Sequence, residues 1–281
     1  MTLYKVFTRR PSRIAGVILL LFFVVLAVFG NVMYPLQPQP NASAIYAPPS
    51  WAHILGTDYA GRDIWIQIVQ GAAGVMSVGA LAAVFTIIIG TLIGLAAGYL
   101  GPVVDAILMR VTDIFLTIPS FALLLILAVT IGLSNTIVLA ILLSFASWGG
   151  LARAIRAMVL SLRERSFIEV SRGLGIGRWH ILFHDVLPNL APYIVTNLML
   201  SLTAAIYGEV GLFFLGVVPF KANNWGVMLN FAQGASGAMY STQSIMYLIS
   251  PILAIVLLQT GIVLTADAVN EIVDPRLRAG H

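Results

Sequence analysis

Ile14-Ala-Gly-Val-Ile-Leu-Leu-Leu-Phe-Phe-Val-Val-Leu-Ala-Val-Phe-Gly-Asn-Val-Met33 carries no charge. A helix that crosses the hydrocarbon core of a bilayer needs roughly 20 mostly apolar residues, and this run meets that length. Lys5, Arg9, Arg10 and Arg13 precede it. A cleavable signal has an apolar core of only about 7–15 residues, so the run reads as an anchor that stays in the chain. The same texture recurs to the end of the sequence. The chain is 59% hydrophobic and 9% charged, with a mean hydropathy of +0.97, whereas ordinary soluble domains carry about 25% charge. A soluble fold of this composition would leave far too much apolar surface in water. The expectation is an all-α membrane protein.

Outward from that first run, the reading places a cytoplasmic N-terminus at 1–13 and a first transmembrane helix at 14–34. An extracytoplasmic loop follows at 35–72, Pro-rich at first because Pro35, Pro38, Pro40, Pro48 and Pro49 forbid regular helix. Its last part, Ile64 to Gln70 with Trp65, is mixed apolar and polar and is expected to lie along the interface. Five further spans form a helical core over 73–266: about 73–95, 105–131, 136–152, 192–214 and 245–265. Between the fourth and fifth, 153–184 is too charged for lipid, and Leu160 to Gly173 is expected to form a short helix within a cytoplasmic loop at 160–190. Pro219 to Ser244 reads as a polar loop, and 267–281 as a charged cytoplasmic tail. Gly90, Gly94 and Gly98 share a helical face and permit close helix approach.

Six spans put both termini on one side, and Lys and Arg decide which. With the termini inside, Lys5, Arg9, Arg10, Arg13, Arg110, Arg153, Arg156, Arg163, Arg165, Arg172, Arg178, Arg276 and Arg278 are cytoplasmic, and only Arg62 and Lys221 are outside. The formal charge of +4 is therefore a topology signal rather than a nucleic-acid face.

Several chemistries are missing. There is no cysteine, hence no disulfide and no thiolate nucleophile or ligand. Neither Lys5 nor Lys221 stands in a P-loop. His-Glu-x-x-His and Gly-x-Ser-x-Gly are absent. His180 and His184 have the i, i+4 spacing of a metal face beside Asp185, but no further ligand is near, and no metal site is expected. Charged residues inside spans are costly and usually functional. Arg110 and Asp113 have the spacing of an i, i+3 pair. Glu209, between Gly208 and Gly211, reads either as a pathway or gate residue or as an inter-helix hydrogen-bond partner. Trp225 is a second possible pathway residue. Trp51, Tyr59 and Trp65 suit either an interface anchor or a stacking surface.

The order of short motifs resembles the permease subunits of binding-protein-dependent ABC importers of the dipeptide/oligopeptide/nickel type, over nearly the whole chain. Leu55-Gly-Thr-Asp58-Tyr-Ala-Gly61-Arg62-Asp63 is similar to that family's outer-loop signature. Gly94-Leu-Ala-Ala-Gly98-Tyr99 with Asp105, Arg110, Asp113 and Pro119 matches a second block, and Trp148-Gly149 with Ala152, Arg153 and Arg156 a third. Glu169, Gly175 and Leu187-Pro188-Asn189 fit the cytoplasmic "EAA" loop, and Trp225-Gly226 and Asp274-Pro275-Arg276 the end. Four places depart from the pattern. Val170 and Ser171 stand for the two alanines, Asp185 for a usual His, Asn270 for a usual Arg, and Phe214 to Lys221 lacks the usual Gly-rich wording.

The resemblance implies a coupling helix between spans four and five that docks on ATPase subunits through Arg165, Glu169, Arg172, Gly173, Gly175, Leu187 and Pro188. It implies contact with an extracytoplasmic binding protein at Gly56, Asp58, Gly61, Arg62 and Asp63; since Asp and Gly favour turns, the same residues read equally as a cluster that ties the loop down. The partners would be a second, related permease, two ATPases that hold ATP and Mg, and the binding protein, in a prokaryotic inner membrane. The chain itself would carry no cofactor and no catalytic residue. Peptides are the default cargo, with oligosaccharides or nickel as alternatives. Rival classes are an ion-coupled secondary transporter and an intramembrane enzyme, the latter without a recognisable nucleophile, base or metal set.

Overall fold

The computed structural model describes residues 11–35, 39–133, 135–219, 224–234 and 244–273. The expected features at Lys5, Arg9, Arg10, Lys221 and 274–281 lie outside these residues. The helices, in chain order, are α1 (Pro11–Met33), α2 (Ile64–Tyr99), α3 (Pro102–Thr117), α4 (Ser120–Ile131), α5 (Thr136–Phe145), α6 (Trp148–Leu162), α7 (Ser166–Gly173), α8 (Arg178–Phe214), α9 (Trp225–Gln233) and α10 (Ile245–Val273). Their ends follow local chemistry. Asp63 caps α2 by accepting from Ile66 N–H at 3.0 Å, and Asn135 caps α5 from Ile137 N–H at 2.8 Å. Gly132, with φ 68°, closes α4 in the left-handed conformation that glycine tolerates best.

Four helices, α1, α2, α8 and α10, are each long and apolar enough to cross a membrane. The other two expected spans are broken. Residues 102–131 form α3 and α4, which meet at 87°, and residues 136–162 form α5 and α6, which meet at 52°. Pro119 explains the first break. It donates no N–H, and it forces Ile118 into extended backbone with ψ 127°. Between four and six crossings result, according to whether each bent pair counts as one.

Other boundaries also differ from expectation. α2 is continuous from Ile64, and Ile64, Ile68 and Val69 are buried within the chain, so residues 64–70 are not a separate interfacial piece. The stretch expected as one helix at 160–173 is split by the turn Arg163–Arg165 into the end of α6 and α7. Pro188 does not end the segment before the fifth span. It sits just after a π-helical stretch, Ile181–Val186, and α8 runs through it. The wider turn, closed by Leu187 N–H on Leu182 C=O, makes room for a ring that would otherwise meet the carbonyl four residues back. The supposed polar loop 219–244 contains α9, whose Trp225, Met228 and Ala232 are buried.

α2 is the central strut, about 54 Å long at 1.5 Å per residue. It lies against α6 along its last turns, where a Cβ on Gly90 would come within 2.8 Å of Leu151, on Gly94 within 2.7 Å of the Ala152 carbonyl, and on Gly98 within 2.7 Å of Val159. The glycine face is thus a contact face. Three apolar cores follow. One joins α1, the start of α2, α9 and α10 around Trp225 and Tyr247. A second joins the middle of α2 to α4, α5 and the last turns of α8. A third joins the end of α2 to α6, α7 and the start of α8 around Ile155, Ile168 and Val186. Gly94→Leu should overpack the α2–α6 seam at a cost of about 1–3 kcal/mol or more, read as a lowered melting temperature of the detergent-solubilised protein, whereas the same change at Gly74, where an added Cβ meets nothing within 4 Å, should be tolerated.

Candidate functional site

Two polar constructions stand at opposite ends of α2. The first is the loop before Ile64. Thr57 and Asp63 form an isolated antiparallel bridge, and the tight return between them needs Gly61, with φ 73° and its Cα so near Asn41 that a Cβ would strike the carbonyl. Gly56, φ 77°, is likewise closed in by Ala47. Asp58 is fully buried. It accepts from Ala60 N–H at 2.8 Å, Arg62 N–H at 2.9 Å, Arg62 Nε at 2.8 Å and Gln67 Nε2 at 3.0 Å. Burial alone would lower the pKa of Arg62; the hydrogen bond and charge of Asp58 outweigh it and hold it above its ordinary value.

Arg62 also lies over the Tyr59 ring at 5.2 Å, and Tyr59 packs against Phe231 and Tyr247. Asp63 accepts from His53 Nδ1 at 2.9 Å besides capping α2. The five outer-loop residues singled out by sequence therefore converge on one knot that fastens the loop to α2, α9 and α10. Asp58 spends its carboxylate entirely inside it, while Trp51 is fully exposed.

The second construction is at the other end. Arg172 of α7 lies over the ring of Tyr99, the last residue of α2, at 5.8 Å, and Arg163 donates to Gly98 C=O at 3.2 Å. α7 buries Ile168 against the third core and leaves Phe167, Glu169 and Val170 exposed. Arg165 precedes its first turn in extended backbone. The chain then reverses at Gly175, φ 74°, with Ile176 N–H on Ser171 C=O at 3.1 Å; Gly177, φ −61°, makes no such demand.

Ser171 donates to Asp185 at 3.1 Å. Two of the departures from the family pattern are thus partners in one bond that ties α7 to α8. Exposed Leu174, Trp179 and Phe183 continue the outward face, with the last two rings stacked at 6.4 Å. His180 and His184 stack at 4.1 Å, also exposed, while Asp185 is turned toward Ser171. Pro188 is exposed as well, whereas Leu187 turns inward. They form the junction of the π-helical stretch with the rest of α8, Leu187 packed on the third core.

Charges within the helices pair across elements rather than along one. Asp113 bonds Arg153 at 2.5 Å instead of Arg110, and Asp105 takes Arg156 in a two-pronged pair at 2.6 and 2.5 Å, fastening α3 to α6. Thr196 donates to Asn270, the residue in place of a usual Arg, and so joins α8 to α10.

Glu209 is almost fully buried and accepts from Asn224 Nδ2 at 2.9 Å, while Asn224 caps α9 through Gly226 N–H at 2.8 Å. Trp225 donates to Ile68 C=O at 3.0 Å and packs on Phe23. Neither residue lines an open surface of this chain, contrary to the pathway expectation. An apolar ring with one indole donor packs most stably in a core that offers it one carbonyl. Sequence reading missed α9 itself, although Asn224 before an apolar run was a capping signal that could have found it.

Residues 90–279 match the sequence profile of the family described as "binding-protein-dependent transport system inner membrane component", and the chain belongs to that family. It is a permease of the ABC-importer kind, integral to the membrane. A provisionally named peptide permease of Brucella suis biovar 1 is 39% identical over 82% of this chain and 76% of its own. The dipeptide transport system permease of Alkalihalophilus pseudofirmus is 30% identical over 98% of this chain and 90% of its own. Among solved structures, the inward-facing MetNI methionine ABC transporter shares the fold, with TM-score 0.57 and 20% identity over 74% of this chain and 96% of that one.

Asp58→Ala should leave Arg62 and Gln67 without their buried acceptor and cost about 3 kcal/mol; limited proteolysis should then cut between residues 39 and 63, where the parent chain resists. Ser171→Ala should loosen α7 by about 1 kcal/mol, visible as faster amide exchange over 166–176.

Proposed function

We propose that this chain is one half of the membrane path of an ATP-driven peptide importer. In this reading each bent pair is one crossing, the spans number six, and both termini are cytoplasmic, as the Arg distribution requires. α7 is then the cytoplasmic coupling helix. It docks on one of two ATPase subunits, which hold ATP and Mg, and the opposite end of α2, with the knotted loop, faces an extracytoplasmic binding protein. A second, related permease closes the path.

The observation that carries the reading is α7 itself. It is a short helix seated on the third core by Ile168 and held by Arg172–Tyr99 and Ser171–Asp185, yet bare along Phe167, Glu169 and Val170. A push on its open face is passed to α2, α6 and α8 without slack. α8 supports the placement of the path. It is the least apolar and least buried of the four long helices, and Tyr193, Asn197, Leu200, Ala204 and Tyr207 fall on one of its faces, the last three exposed. Polar groups on a bare helix face are costly in lipid, so this face suits a partner subunit or a watery path, and bare apolar α1 suits lipid.

Peptide cargo rests on the names of the two relatives and on the lack of any charge in that stripe. Oligosaccharide or nickel remain second readings with no residue that favours them. Purified with its genetically neighbouring proteins and placed in lipid, the chain should bring down an ATPase whose turnover rises with loaded binding protein. Glu169→Arg should reduce that stimulation at least tenfold. Uptake that needs no ATP and follows an ion gradient would replace this reading with a secondary transporter.

A further inference from the structure

The two bent helix pairs break beside each other. The ring of Phe115, near the end of α3, lies 5.0 Å from Phe145, the last residue of α5, and 5.4 Å from Trp148, the first of α6, in edge-to-face contact with both. Leu116 sits over Gly149, where a Cβ would be 3.2 Å from its side chain. One ring, just before the 87° break, therefore bridges the two arms of the 52° break.

On one side of this level, α3 and α6 are tied by Asp105–Arg156 and Asp113–Arg153, α6 is seated on the glycines of α2, and α7 with the start of α8 shares their core. On the other side, α4, α5 and the last turns of α8 share a different core, built on Val78 and Ala82 in the middle of α2, so that α2 runs through both. α8 passes between the two through Pro188 and Pro192, and from Leu190 to Ala205 none of its intervening residues is buried.

We propose that the coincident breaks are a hinge with Phe115 as its pivot, about which α3, α6, α7 and the first turns of α8 tilt as one body against α4, α5 and the last turns of α8. The proposal rests on the importer reading only for the source of the push. Local chemistry suits it. At Ile118–Pro119 no helical hydrogen bond crosses the break, because Pro119 has no N–H and Ile118 is extended. At the second break, Ser147 turns its N–H to Ser144 C=O and its hydroxyl to Leu143 C=O at 3.2 Å. The Trp148 indole N–H is buried with no acceptor among the described residues, so it can rock without losing a bond. A hinge of a few residues that absorbs backbone change between rigid bodies is a known form of domain closure.

The chain has no cysteine of its own, which permits paired spin labels in the assembled complex in nanodiscs. Val103→Cys with Ser161→Cys reports within the α3–α6 body, and Val129→Cys with Ser161→Cys reports across the hinge; all three positions are exposed. On trapping with ATP and vanadate, the Val129–Ser161 distance should shift by several ångströms while Val103–Ser161 holds. Pro119→Ala, which lets α3 run on, should shrink that shift and cut uptake several-fold with basal ATPase unchanged. Phe115→Leu, which keeps the apolar fill, should broaden the Val129–Ser161 distribution. The hinge is overturned if both distances change together, or if neither changes while cargo is taken up. If the across-hinge distance alone moves, but in response to an ion gradient instead of ATP, the hinge stands and the importer reading falls.

Discussion

The close approach of α2 and α6 is the constraint on which the rest depends. Gly90, Gly94 and Gly98 bring two backbones so near that a single methyl at any of them would collide with α6. In a bilayer there is little hydrophobic drive between apolar helices, so close packing of small residues supplies much of the attraction. With α6 fixed on α2, Asp105 and Asp113 of α3 find Arg156 and Arg153, and Ile168 of α7 finds a core to enter. The exposed face of α7 is thereby held at a defined place beyond the end of α2.

At the other end the chain solves a different problem. A long connection between α1 and α2 must be ordered without a large core beneath it. The solution is electrostatic and local: one buried carboxylate, Asp58, collects four donors, and two left-handed glycines let the backbone fold around it. Buried charge is tolerable only when so fully matched. The aromatic contacts of Tyr59 then couple this knot to α9 and α10. Through Trp225–Ile68 and Glu209–Asn224, α9 is stitched in turn to α2 and α8. The loop before α2 and the buried short helix thus form one continuous assembly.

Much of the site was legible before any coordinates. Gly175 was read as a turn residue and adopts φ 74°; the glycine face of α2 was read as a contact and is one; Asp58, Arg62 and Asp63 were read as a possible tie and form it. The misreadings have a common cause. Pro188 and Pro119 look alike in sequence, yet one follows a π-helical turn that absorbs it and the other breaks a span where Ile118 turns extended. Asp113 pairs with Arg153 of α6, a partner that spacing along its own helix does not reveal. α9 was hidden because Asn223, Asn224 and the glycines around it make the segment look solvated on average.

What the sequence determined alone is the class: uncharged apolar runs in a chain with 9% charge cannot be stable except as membrane helices, and the order of short motifs specifies the family. What only tertiary structure decided is which polar groups meet. Ser171 with Asp185, Glu209 with Asn224, and Phe115 at the meeting of two breaks each join residues from different helices. Hydrophobic periodicity and spacing report the surroundings of one helix at a time. They carry no information on which helix lies beside it, and that neighbour sets both the partner of a charge and the bend of a span.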